Sequence, residues 1–296
     1  KRPSLVFMIE LLALGSAVLY GSADFFGGLT ARRANTIATV FWSQFVGLVL
    51  LALFLPFLAP ATVSSRDWTW GFIAGLSGGI GVALLYRALA VGAMAVVAPT
   101  TAVIAAMIPV AFAFVMGERL RPLTLGGVAL ALIAIALVSR PASESGADSV
   151  KAKPRGFPPG FGLALLSGVA VGIFFLSLAR TTTAAGMWPL MAARFSSIAL
   201  FGLIALFTKR TLRMSRTAAT TATAGGALDM AANALYMIAA RVGPLSIVVT
   251  LASLYPASTV ILARFVLGER LSAVQISGIA CALGAVAIIV SQGATI

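Results

Sequence analysis

The sequence predicts an all-α, polytopic membrane protein with ten transmembrane helices in a 5+5 inverted repeat. Three observations carry this. Hydrophobic residues make up 60% of the 296 residues and charged residues 10%, with a mean hydropathy of +1.05, so there is too little polar side chain to cover a water-soluble domain. The apolar residues fall in runs of about 20, the helix length that crosses hydrocarbon, without the alternation of outer-membrane barrel strands. Gly117-Glu118-Arg119-Leu120 returns as Gly268-Glu269-Arg270-Leu271, 151 residues later (268 − 117), close to half the chain.

The register extends in both directions. Gly92 pairs with Gly243, and Gly127, Ala129, Ala131, Leu132, Ala134 and Ala136 fall on Gly278, Ala280, Ala282, Leu283, Ala285 and Ala287. Each copy reads as a helix end, a tight break and a new helix start. The glycine takes the left-handed conformation that closes the first helix. Pro122 suits the first turn of the next one, and Ser272 to Gln275 forms a capping-box pattern. The Glu-Arg pairs at 118–119 and 269–270 read as interfacial charges between membrane helices.

In chain order the spans run Leu5 to Leu29, Ile37 to Ala59, Trp68 to Val91, Met94 to Met116 and Leu123 to Val138. The second set runs Phe161 to Leu178, Met187 to Phe207, Thr217 to Ala240, Leu245 to Leu267 and Ala273 to Val290. The first run reads as a retained span, because no cleavage site followed by a soluble domain comes after it. Residues 1–140 and 160–296 are the two repeats, and the polar, proline-containing stretch 141–159 is a flexible linker. Five spans per repeat is odd, so the second repeat enters from the opposite face of the membrane and is inverted. Inverted repeats are a device of secondary transporters, which bind substrate near the midplane where the halves meet. A duplication without transport is the alternative.

The net charge of +13 comes mostly from cations that flank apolar runs. They read as membrane-edge anchors, and no basic patch interleaved with aromatics points to nucleic acid. Loops on the N-terminal side carry seven Lys or Arg and those on the far side thirteen, which by the positive-inside rule puts both termini outside. The chain has no histidine, no cluster of metal-ligating type and no GxxxxGK[ST] loop, so zinc chemistry and ATP-driven pumping are disfavoured and no cofactor is expected. The single cysteine, Cys281, reads as a packed thiol.

Ionisable groups inside spans need a partner or a purpose, because each costs about 2.5–3.5 kcal/mol at a helix centre. Glu10 and Arg194 lie toward the N-terminal side, and Asp24 and Arg87 lie at similar depth toward the far side and are expected to pair. Asp229, mid-span, has no cation at matching depth, and Asn233 and Tyr236 share its helix face at i+4 and i+7. It is either a neutral, hydrogen-bonded acid or a site for substrate or protons. All four tyrosines, Tyr20, Tyr86, Tyr236 and Tyr255, lie in spans one, three, eight and nine, and either line a shared cavity or are core aromatics. Gly75, Gly78, Gly79 and Gly81, like Gly225 and Gly226, permit close helix packing or a sliding gate. Pro99, Pro109 and Pro256 interrupt spans four and nine as kinks or hinges. Trp68, Trp70 and Trp188 at span ends fit an aromatic belt.

The five-plus-five plan, the two Gly-Glu-Arg-Leu segments with Gly127 and Gly278, and Pro256 together resemble the EamA-type, ten-helix members of the drug/metabolite transporter superfamily, over almost the whole chain. The resemblance implies a central cavity lined mainly by helices one, three, four, six, eight and nine, with helices five and ten peripheral. Tyr20, Asp24, Tyr86, Asp229, Asn233, Tyr236 and Tyr255 are its expected substrate-binding residues. Members commonly export amino acids, other metabolites or toxic compounds, several of them in exchange for protons, and are usually drawn with both termini in the cytoplasm. The expected function is therefore secondary active export of a small organic molecule from the cell across the inner or plasma membrane, not enzymatic catalysis. A small-molecule substrate and membrane lipid are the expected partners, and protons are one option for the coupling ion. The alternative is a passive facilitator or channel.

Overall fold

The computed structural model describes residues 3–92, 94–117, 121–138 and 159–267, together with separate helical positions between 273 and 288. Among these residues there is no strand. The helices are α1 (Pro3–Ala31), α2 (Thr36–Phe54), α3 (Ser65–Val91), α4 (Met94–Val115), α5 (Pro122–Val138), α6 (Phe161–Ala179), α7 (Trp188–Phe207), α8 (Arg216–Val242), α9 (Leu245–Ala252) and α10 (Tyr255–Leu267). Six stretches are long and apolar enough to cross a membrane by length and composition, which makes this a multi-pass membrane protein. Its outward faces carry large apolar side chains, among them Phe57, Phe207 and Phe265, each at least 80% exposed, as a lipid-facing surface requires.

Spans one to eight each form one α-helix with ends close to those expected from hydropathy, except that the second ends early, at Phe54, and continues as a 3-10 turn over Leu55–Phe57. The ninth does not. Pro256 has no amide hydrogen to donate to the carbonyl of Ala252, and its ring would collide with it, so α9 stops at Ala252 and α10 starts at Tyr255. The fourth span stays one helix, α4, through Pro99 and Pro109. Packed neighbours let membrane helices tolerate an interior proline. Gly117 adopts φ +87° and donates its amide to the carbonyl of Phe114 at 3.0 Å, closing the segment after α4 as expected. Glu118 to Leu120, the second copy of that motif and residues 141–158 lie outside the described residues.

The duplication is visible in the caps. Helices α3 and α8 have the same bounds after a shift of 151 (216 − 65 and 242 − 91). Each starts from a serine whose hydroxyl accepts an amide of the first turn, Ser64 from Asp67 and Ser215 from Ala218. Each ends on a glycine, Gly92 or Gly243. The equivalent helices α2 and α7 pack on each other in opposite directions: Phe41 lies beside Gly202, whereas Gly47, further along α2, lies beside Arg194, earlier in α7. Equivalent helices that cross antiparallel are related by an axis running across them, which is the inverted repeat.

The repeats interlock. Helix α1 packs on α8, α3 on α6 and α7, and α2 on α7 and α8. Glycines make this possible: a methyl group at Gly75 would collide with Ser196 and the Ala193 carbonyl, and one at Gly226 with the backbone of Ser43. Hydroxyls tie the same seams, with Ser16 donating to the Ala232 carbonyl at 3.0 Å, Ser197 to that of Gly75 at 2.6 Å and Ser167 to that of Gly81 at 2.7 Å. Trp68 and Trp188, at the starts of α3 and α7, meet edge to face with centroids 6.0 Å apart.

Candidate functional site

The interlocked helices enclose a narrow cavity of about 60 Å³ at the heart of the bundle. Five of the seven expected site residues line it: Tyr20, Asp24, Asp229, Asn233 and Tyr255. The other two do not. Tyr236 is fully buried and donates its hydroxyl to the Phe175 carbonyl at 3.0 Å, so the face shared with Asp229 and Asn233 does not continue to i+7. Tyr86 lies against Gly27, wedged between α1 and α3.

Two expectations about charge are corrected here. Asp24 and Arg87 form no ion pair: Arg87 is exposed on the outside of α3, while its neighbour Tyr86 turns inward, because successive helical residues point about 100° apart. Asp229 is not without a cation either. The Arg194 Nη2 lies 2.8 Å from its Oδ2, and Nη1 donates to the side-chain carbonyl of Gln44. Arg194 belongs to α7, Gln44 to α2 and Asp229 to α8, so one guanidinium ties three helices of both repeats at the cavity wall. Depth estimated from backbone position misses this pair, because an arginine reaches more than a helical turn from its own Cα. Gln44, a lone amide in an apolar span, was the legible signal that went unused.

The remaining polar wall is ordered by short hydrogen bonds. Tyr20 donates to Asn233 Oδ1 at 2.7 Å, and Asn233 Nδ2 donates to the Asp229 carbonyl at 2.7 Å. Tyr20 also packs edge-on against Phe175 and Tyr255, with centroids at 5.7 and 6.5 Å. Asp24 is different: it faces the cavity and makes no hydrogen bond or ion pair with a described residue. Glu10, the other acid of α1, is buried and lies away from the cavity lining.

The lining comes mainly from five of the six spans expected, α1, α3, α6, α8 and, through Tyr255, the ninth span, with α2 and α7 added and α4 absent. Helix α4 contributes no residue to the lining and packs on α6, where Gly168 and Gly172 receive Ile104 and Ile108. Helices α2 and α7 take part because they cross at the pseudo-axis.

Beyond the cavity, at the end of the bundle holding the α2–α3, α6–α7 and α8–α9 connections, the repeats are tied together. Asp67 caps its own helix and accepts from Thr182 N at 2.7 Å and Thr182 Oγ1 at 3.1 Å. Thr62 N donates to the Ala184 carbonyl at 2.9 Å, and Arg241 donates to the Gly186 carbonyl at 2.6 Å and to Thr181 Oγ1 at 3.0 Å.

An inverted helical repeat that encloses a polar cavity at its centre is the architecture of a membrane transporter. The EamA-like transporter family matches residues 7–140 and again 158–291, a second match displaced by the same 151 residues (158 − 7), and the chain belongs to that family. It is therefore a membrane transporter of small solutes, in a family of transporters rather than enzymes. A crystal structure of another protein matches 95% of this chain and 97% of its own at a TM-score of 0.71 and 19% identity, a likeness of fold alone. No curated protein matches the sequence.

Proposed function

We propose that this protein is a secondary active transporter of the cell's inner or plasma membrane that exports a small organic metabolite, such as an amino acid or related compound, or a drug, by alternating access. Repeats 1–140 and 160–296, joined by the linker 141–159, rock about the central cavity. Tyr20, Asp24, Asp229, Asn233 and Tyr255 contact the substrate, and Tyr86 and Tyr236 brace the helices that carry them.

The observation that carries this reading is the cavity itself, in which helices of both repeats hold an ion pair and a carboxylate without a partner among the described residues. Buried charge of this kind is costly in a membrane core and is characteristically functional. At about 60 Å³ the cavity is far below the roughly 300 Å³ of pockets that enclose small-molecule ligands, so it must widen to accept a substrate. The ties through Asp67, Thr62 and Arg241 close one end, and their opening is one half of the cycle. Protons are the proposed coupling ion, with Asp24, which has no partner among the described residues, as the group that carries them.

The test is uptake into proteoliposomes with and without an imposed proton gradient. Accumulation above equilibrium that collapses with the gradient is expected. A flux that only dissipates the substrate gradient would make the protein a passive facilitator.

A further inference from the structure

The 151-residue register relates one wall of the cavity to the other. Tyr20 corresponds to Val171 and Asp24 to Phe175, in α1 and α6. Asp229 corresponds to Gly78 and Asn233 to Val82, in α8 and α3. All eight positions line the cavity. The pseudo-axis therefore passes through it, and the same backbone positions are polar on the α1–α8 side and apolar on the α6–α3 side. Nothing in the fold demands this, since the helices of the two walls are equivalent. The difference lies in the side chains alone.

The polar wall is also selective in sign. The cavity lining carries two carboxylates and one guanidinium. Both terminal nitrogens of Arg194 are engaged, by Gln44 and by Asp229, and its remaining nitrogen is buried, so among the described residues no free cation faces the cavity. Asp24 is left as a hydrogen-bond acceptor with no partner among the described residues. On the α6–α3 side, Phe174, Val171 and Val82 give the lining apolar and aromatic surface, while Phe175 packs between Tyr20 and Tyr236.

Resting on the transport reading above, we infer that the substrate is an amphipathic amine: a cationic nitrogen held by Asp24 on the α1–α8 wall, with an apolar or aromatic body laid against Phe174 and Val82 on the α6–α3 wall. An organic anion finds no partner. A zwitterionic amino acid must place its carboxylate beside Asp24 and Asp229, where like charge repels it. A small amine without an apolar body leaves the aromatic wall unfilled.

The experiment uses the purified full chain in detergent and a series with one body and different heads: 2-phenylethylamine, phenylalanine, 3-phenylpropanoate and 2-phenylethanol, with ethylamine as a head without a body. Binding is read by calorimetry and thermal stabilisation. The expected result is that 2-phenylethylamine binds at least tenfold tighter than every other member. In Asp24→Asn that preference over 2-phenylethanol falls by about 10- to 150-fold, the span of one charge-assisted hydrogen bond. Should Asp24→Asn not fold, the wild-type comparison of amine with alcohol carries the same decision. Equal binding of 2-phenylethylamine and phenylalanine overturns the claim about charge, and equal binding of ethylamine overturns the claim about two walls. If no amine binds while proteoliposomes still accumulate another solute, the substrate class is wrong and the transport reading stands. If a metabolite panel in proteoliposomes shows no accumulation although 2-phenylethylamine binds as expected, the cavity chemistry is right and active transport is wrong.

Discussion

Arg194 is the side chain whose loss reaches furthest, because it satisfies a carboxylate and an amide on two other helices while being almost wholly buried itself. Removing one partner of such a pair leaves an uncompensated charge in low dielectric and costs about 3–5 kcal/mol, whereas removing both costs less. Thermal melting in detergent should therefore show Arg194→Gln to be more destabilising than Arg194→Gln combined with Asp229→Asn. Additive losses in that double-mutant cycle would mean that the pair has no net coupling. Asp24 should behave in the opposite way. It has no partner to strand among the described residues, so Asp24→Asn is expected to keep or raise the melting temperature while abolishing transport. An unchanged rate of accumulation in proteoliposomes would remove Asp24 from the site.

Between helices, close approach replaces the hydrophobic effect, since lipid tails are as apolar as leucine. The glycines of α3 and α8 are where backbones meet. Gly75→Ala and Gly226→Ala each push a methyl group into a neighbouring helix backbone, and overpacking of this kind costs about 1–3 kcal/mol. Gly126 in α5 and Gly162 in α6 have open space where a methyl group would sit, so alanine there should be neutral or stabilising by up to about 1 kcal/mol. Melting temperatures of the four variants decide it. Equal effects at all four would show that helix propensity, not packing, governs these positions. The broken ninth span belongs to this scale too: the break sets Tyr255 at the start of α10, where it reaches the cavity, and the buried hydroxyls of Thr250 and Ser253 beside it have no hydrogen-bond partner among the described residues.

For the molecule as a whole, the inverted repeat makes the two ends of the bundle equivalent in fold but not in side chains. Asp67, the centre of the tie at one end, corresponds to Ala218 at the other. The Asp67→Asn variant weakens charge-assisted hydrogen bonds to Thr182, each worth about 1.5–3 kcal/mol, which is enough to move a balanced two-state equilibrium by tenfold or more. Spin labels at Val63 and Thr183 should then report a population with a longer separation than in the parent protein. An unchanged distance distribution would mean that this end does not open by parting of those loops.

The sequence by itself determined the class of molecule, the helices and the inversion, because a bilayer imposes a one-dimensional rule: enough consecutive apolar residues to cross, a turn, and a change of direction. The 151-residue register and an odd count of spans needed no partner to be legible, and the caps at Ser64, Ser215, Gly92 and Gly243 keep that register in the structure. Which polar residues meet was decided only by tertiary structure. Asp24 and Arg87, placed at one depth by their positions in the spans, do not pair, while Arg194 and Asp229, placed at different depths, touch, because rotation about each helix axis and the length of the side chain select the partner. For the same reason Tyr20 and Tyr255 reach the cavity while Tyr86 and Tyr236 are spent on helix packing. Hydropathy records how deep a residue lies; only the packed bundle sets the direction in which it points.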